Sequence, residues 1–194
     1  PYHHFYVDDG NLMVASPDIS TNLELIGPLY ETLTTSLGRA GYLLEHEKTE
    51  GIHFIPPHSA HRPHATRAIP LPGLLTALKP PTAIRHLGFL LDSKLDWRAH
   101  IRHYAHRART TCAASHMLGS SARGVNPSQR RLLYVSCIRP VLTYGCQVYA
   151  RPKGFKDNFK VLATAQHHAL RWITGSFSTT PTGALHALAG VVPV

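Results

Sequence analysis

Two adjacent carboxylates, Asp8 and Asp9, stand between Phe5-Tyr6-Val7 and Leu12-Met13-Val14, two runs of strand-forming residues. A pair of acids pressed together at the tip of a tight hairpin repels itself unless a cation is close by. A divalent ion answers that need. Mg²⁺ takes carboxylate oxygens together with substrate phosphates in an octahedral shell. Two such ions stabilise the attacking and leaving oxygens of a phosphoryl transfer. Asp8-Asp9-Gly10 is equally an ordinary turn sequence, so the pair alone leaves both readings open.

A second chemistry is set by cations. Residues 1–84 hold five Lys/Arg and eight Asp/Glu, net −3, whereas residues 85–194 hold fifteen and three, net +12. A basic half joined to a mildly acidic half points to a polyanion-binding module beside something else. Arg98, Arg102 and Arg109, with His106, recur at helical spacing on roughly one face, opposite Ile101 and Cys112. Arg123, Arg130 and Arg131 lie at and after the loop that follows. Such a stripe suits the phosphates of a duplex without reading its bases; its plainer reading is a solvated helix face. His58, His61 and His64, and His100, His103 and His106, are each spaced by three. Zinc commonly takes four tetrahedral ligands, often with cysteine, and no cysteine lies near either run.

The elements that must position these residues can be read from periodicity. Residues 3–15 form a β-hairpin with Asp9-Gly10 as its two-residue turn. Ser16-Pro17 opens a helix with Ser16 as N-cap. Ile19, Leu23, Ile26, Tyr30, Leu33 and Leu37 line one face of it. Pro28 should kink or split that helix. Tyr42-Leu44 and Gly51-Ile55 read as short strands around a charged bend containing Lys48. Residues 56–83, rich in Pro and His, read as a loop, and a strand follows near Leu87–Leu91. The rest is helical. A first helix is marked by Trp97, Ile101, Tyr104, Ala108, Cys112, Ser115 and Leu118. A second starts at Asn126-Pro127, kinks at Pro140 and turns Leu133, Cys137, Val141, Tyr144 and Val148 inward. A third carries Leu162, Gln166, Ala169, Leu170 and Ile173, and a short last one opens at Thr180-Pro181. The fold class is α+β, a βαββ-type sheet unit followed by a three-helix bundle.

No apolar run approaches the roughly 20 residues that cross a bilayer, and the start does not resemble a signal peptide. Three cysteines without CxxC spacing read as reduced thiols of an intracellular protein. Starting at Pro1 and passing almost at once into a strand, the chain reads as part of something longer.

Several segments, in order, resemble the reverse transcriptases of non-LTR (LINE-type) retrotransposons. Tyr6-Val7-Asp8-Asp9 matches their Tyr-x-Asp-Asp box. Glu47-Lys48-Thr49-Glu50-Gly51-Ile52-His53-Phe54 is similar to their Lys-Thr-Glu…Phe segment, and His86-Leu87-Gly88-Phe89-Leu90-Leu91-Asp92 to their Leu-Gly primer grip. Leu95 to Ile101, Arg139 to Gly145, Gln166 to Gly175 and Thr179-Thr180-Pro181 resemble their thumb. The resemblance implies a partial palm over 1–91 that includes the primer-grip strand, an α-helical thumb bundle over 92–174, and the start of a connection to a downstream domain over 175–194. It implies an RNA-directed DNA polymerase using Mg²⁺ (or Mn²⁺), an RNA template, a DNA primer and dNTPs, with no membrane partner and a place inside the cell, the nucleus for this family. Asp8 would be a ligand of the catalytic metals and Asp9 its weaker partner. Lys48 would approach the incoming triphosphate, as charge stabiliser or proton donor. Tyr6 would lie near the primer end, and Leu87-Gly88 would offer backbone to the primer strand.

The family's further palm aspartate lies upstream of the Tyr-x-Asp-Asp box, where this chain has no residues. The chain alone is therefore expected not to polymerise, and a sheet without its neighbouring strands is expected to expose edges and apolar surface. The competing expectation is a catalytically inactive nucleic-acid-binding relic of such an element.

Overall fold

The computed structural model describes residues 1–56, 66–118, 124–150 and 156–194. It divides into two compact units, Pro1–Asp96 and Trp97–Val194.

In the first unit, β1 (Tyr2–Tyr6) and β2 (Asp9–Met13) pair antiparallel, from Tyr2 opposite Met13 to Tyr6 opposite Asp9. The turn is therefore Val7-Asp8, not Asp9-Gly10. Gly10 instead lies in β2 opposite Phe5, whose ring covers it so closely that an added Cβ would stand 2.7 Å from Phe5 Cε1. The missing side chain serves cross-strand packing rather than the bend.

Helix α1 (Ile19–Arg39) is capped by Asp18, whose carboxylate accepts from the Ser20 and Thr21 amides. The cap is thus two residues beyond the expected Ser16, whose hydroxyl donates to the Asp18 carbonyl. Pro28 lies inside α1 without dividing it, although the ring cannot donate to the carbonyl four residues before it. Ile19 and Tyr30 are its buried residues, and the Tyr30 hydroxyl meets His46 Nδ1 at 3.0 Å.

The strands expected at Tyr42-Leu44 and Gly51-Ile55 are absent. A 3-10 turn, His46–Lys48, occupies the bend, and the flanking backbone is irregular. The expected strand at Leu87–Leu91 is a second hairpin, β3 (Ala83–His86) and β4 (Phe89–Asp92), with Leu87-Gly88 as its turn. Both turn residues have positive φ, 46° and 82°, the mirror-image turn that matches strand twist. The two hairpins form separate two-stranded sheets rather than one βαββ sheet. The core of this unit is thin. Its buried apolar residues among those described are Ile19, Tyr30, Ile55 and Ile69, none of them fully so, while Tyr2, Phe5, Tyr6 and Val7 are exposed. An isolated hairpin buries too little to be stable by itself.

The second unit is a helical bundle with most of the buried apolar side chains. Helix α2 (Arg98–His116) packs chiefly on α6 (Lys156–Thr174), and α6 also packs on α7 (Thr182–Ala189). Between them, α3 (Pro127–Leu133) starts with a reciprocal Asn126–Gln129 capping box. It widens into a π-helical turn over Tyr134–Ile138 and continues through α4 (Arg139–Leu142) and α5 (Cys146–Tyr149). The Arg139 amide reaches back five residues to the Tyr134 carbonyl. Pro140 can neither donate to the carbonyl four residues before it nor sit close to it, and the wide turn gives the ring room. Tyr134, Ile138, Leu142 and Tyr149 are buried, while Cys137, Tyr144 and Val148 of the expected inward set are exposed; the inward face is already one residue later at Tyr134, where the wide turn begins.

The inward residues expected on α6 are all buried. Gln166 is satisfied there: its amide donates to the Tyr134 hydroxyl and the Val192 carbonyl, and its oxygen accepts from the Val194 amide. Among the described residues no helix is long and apolar enough to cross a membrane, and the three cysteines are free thiols.

Candidate functional site

The residues nominated by sequence fall in two places, one in each unit. In the first, the β1–β2 hairpin presents Asp8 in its turn and Asp9 at the first position of β2, directly across from Tyr6. Tyr6, Asp8 and Asp9 are all exposed. Val7 holds φ at 57°, a left-handed conformation that a β-branched residue adopts at a cost of roughly 1–3 kcal/mol. The strain sits beside Asp8.

The 3-10 turn places Lys48 with its ammonium 2.5 Å from the Glu45 carboxylate. The hydrogen bond to Glu45 raises the Lys48 pKa most, then the Glu45 charge, and Asp8 adds to the same direction. Asp8, forty residues away in sequence, is the smallest of these contributions. Asn11, two residues beyond Asp9, has its amide nitrogen 3.1 Å from His86 Nε2, at the stem of the Leu87-Gly88 turn. That contact joins the two hairpins and brings Leu87-Gly88 toward the strand that starts with Asp9.

No group of three or more His, Cys, Asp or Glu among the described residues could hold a metal ion. The His100, His103 and His106 run does not converge: His100 is buried and the other two are exposed. His58, His61 and His64 lie outside the described residues. What the tip offers is a pair of exposed carboxylates. That suits an ion that keeps waters and substrate phosphates in its shell, as Mg²⁺ does, and not one that needs a closed protein cage.

In the second unit, Arg98, Arg102 and Arg109 are exposed on α2. They do not lie opposite the buried face. At 100° per residue, Arg109 is about 60° around the helix from buried Cys112, so the stripe flanks the core. Arg123 lies outside the described residues.

Arg130 and Arg131 have structural partners. Arg130 donates from Nε to the Val125 carbonyl and from Nη1 to the Trp172 carbonyl near the end of α6. Arg131 donates to the carbonyls of Ala189 and Gly190 at the end of α7. Both satisfy carbonyls that a helix leaves open at its C-terminus.

Sequence reasoning passed over a feature on α6. A cleft of about 530 Å³ is lined by Arg109, Arg130 and Arg171 together with His116, His168 and Trp172. His168 and Arg171 are three residues apart and so share a flank of α6. A helical wheel of α6 like that drawn for α2 would have found them. The His168 pKa is lowered, first by burial and then by the charges of Arg109, Arg171 and His167. Cys112 in the same wall is a neutral thiol, its pKa pushed up to about 11 by burial. A second cleft, about 480 Å³ between α1 and the Pro70–Ala77 loop, contains none of the nominated residues.

Two curated proteins are similar to this chain. "Probable RNA-directed DNA polymerase from transposon X-element" of Drosophila melanogaster is 30% identical over 95 residues, 49% of this chain and 10% of that protein. "Probable RNA-directed DNA polymerase from transposon BS" of the same organism is 27% identical over 109 residues, 56% of this chain and 12% of that protein. The chain spans about a tenth of the length of these relatives. No protein-family model matches it, and no solved structure does. The chain is thus a relative of proteins described as transposon RNA-directed DNA polymerases. Together with the order of its motifs, this similarity supports a likeness to the reverse transcriptases of non-LTR retrotransposons.

Proposed function

We propose that the chain is part of an RNA-directed DNA polymerase, with a partial palm in the first unit and a thumb in the second. The observation that carries this is the hairpin tip, where Asp8 in the turn and Asp9 at the start of β2 stand together, Asp9 directly across from Tyr6. Asp8, helped by Asp9, would hold the catalytic Mg²⁺ or Mn²⁺, which would supply positive charge for the attacking and leaving oxygens of nucleotidyl transfer. Lys48, a protonated lysine paired with Glu45, supplies positive charge for the triphosphate; its pKa is raised, first by the Glu45 hydrogen bond, which favours charge stabilisation over proton donation. Tyr6, opposite Asp9, and the Leu87-Gly88 turn flank the primer end. The arginines of α2 hold the RNA–DNA duplex by its phosphates.

A second reading, a nucleic-acid-binding relic without chemistry, is favoured by the charge of the second unit. It holds thirteen Lys/Arg and one acid, Asp157. The reading frame upstream of the Tyr-x-Asp-Asp box separates the two: a frame encoding fingers and a palm aspartate supports the enzyme, and a stop supports the relic.

The direct test is RNA-templated dNTP incorporation by the full-length protein. Asp8→Asn is expected to lower it by about a hundred-fold or more while duplex binding is retained. Undiminished incorporation by Asp8→Asn would remove the metal role of the tip. Duplex binding without any incorporation by the unaltered protein would leave the relic.

A further inference from the structure

The positive charge of the second unit has almost no counterpart inside it. Asp157 is the single Asp or Glu among residues 97–194, and it lies 3.4 Å from Lys160. The cleft between α2 and α6 gathers three of the guanidiniums, those of Arg109, Arg130 and Arg171, and no carboxylate lines it. Like charges on one concave wall raise the local potential and draw in an anion.

Three details shape the kind of anion. Arg171 Nε is buried with no hydrogen-bond partner among the described residues, and a buried donor without an acceptor is costly to keep. Arg130 is fixed at the wall by its bonds to the Val125 and Trp172 carbonyls. The His116 ring lies nearly parallel to that of Trp172, 5.6 Å between centroids and 16° apart, and makes a flat side. Several cationic donors converging from different elements suit a tetrahedral group with several acceptor oxygens better than a planar carboxylate, which one guanidinium fork already satisfies.

We propose that this cleft seats a backbone phosphate of a nucleic-acid strand, held between Arg109 of α2 and Arg171 of α6 with Arg130 behind it. The proposal deepens the duplex-binding role of the second unit and rests on it. It assigns that role to Arg171 and His168 on α6 as well as to the α2 stripe. Such a contact fixes position on the strand and carries no base preference.

The test uses the full chain and a short labelled RNA–DNA hybrid, with binding followed by fluorescence anisotropy across a salt series. Arg171→Gln and Arg109→Gln are each expected to weaken binding by about tenfold and to reduce the salt slope by about one. Their double variant should lose less than the product of the two, because both hold one phosphate. In the unaltered chain the His168 ring, followed by NMR through a pH titration, should gain a higher pKa on adding the hybrid, since the phosphate offsets Arg109 and Arg171.

Unchanged affinity and slope in both variants, with Arg102→Gln weakened, would overturn the cleft and leave the duplex reading standing. Absence of salt-dependent binding by the unaltered chain would overturn both. If Arg171→Gln loses its circular-dichroism signal, the exposed Arg109→Gln and the His168 titration decide. A His168 shift produced equally by inorganic phosphate, with none from the hybrid, would make this a free-phosphate site and overturn the nucleic-acid assignment.

Discussion

Individual polar side chains divide here into those the fold consumes and those it leaves available. His100 is fully buried against Tyr104 and Tyr149, its ring centroid 4.7 and 5.2 Å from theirs, and its Nε2–H donates to the Tyr144 carbonyl. Its pKa is lowered from 6.5, mostly by burial; the Tyr144 bond pulls the other way, and His103 adds to the lowering. The folded protein therefore holds His100 neutral. Above about pH 6.5 the unfolded chain is neutral there too, and His100 gives stability no pH dependence. Below that value the unfolded chain takes up the proton first, so stability falls as pH drops toward the folded pKa. Thermal unfolding should show a lower Tm at pH 5 than at pH 7.5, and His100→Gln should flatten the difference. His168 shifts in the same direction but is exposed, so a slope that survives His100→Gln unaltered would move the effect away from His100.

At the level of elements, the bundle is fastened at its helix ends. Arg131, next to the end of α3, reaches the last carbonyls of α7. Arg131→Met keeps the aliphatic stem and removes the donors, and should cost about 1–2 kcal/mol. Urea unfolding measures this, and hybrid affinity should stay nearly constant; the opposite pattern would make Arg131 a phosphate contact. The sequence revealed α2 and α6 because their apolar residues repeat at the helical period without interruption. It misled at Asp9-Gly10, where a strong local turn signal lost to the packing of Phe5 over Gly10. It misled again at Tyr42-Leu44 and Gly51-Ile55, which have strand-like composition but no strand pairing. From Tyr134 on, the buried face lies one residue later than the apolar spacing of Leu133, Cys137 and Val141 suggested, because exposed Leu132, Val135 and Val148 make that stretch apolar on more than one face. Of the candidate site, the acidic tip was readable from residue type. The role of Lys48 at the triphosphate came only from the resemblance, and the α2–α6 cleft is a tertiary fact, because its walls lie some sixty residues apart.

Across the whole chain, the two units divide the labour by charge and by packing. The first carries the acidic tip on a thin core with exposed aromatic residues. The second couples a well-packed bundle to a nearly uncompensated positive charge. A clamp for a polyanion needs that combination: rigid helices to hold the guanidiniums in place, and no internal carboxylates to neutralise them. Affinity should then depend far more on salt than on base sequence.

The most direct measurement is the affinity of the purified 194-residue chain for an RNA–DNA hybrid between low and physiological salt. With Arg98 and Arg102 each at a phosphate and Arg109 and Arg171 sharing a third, log K should fall linearly with log salt, with a slope of about −3, alike for unrelated hybrid sequences. A flat salt response, or no binding at low salt, would contradict the account.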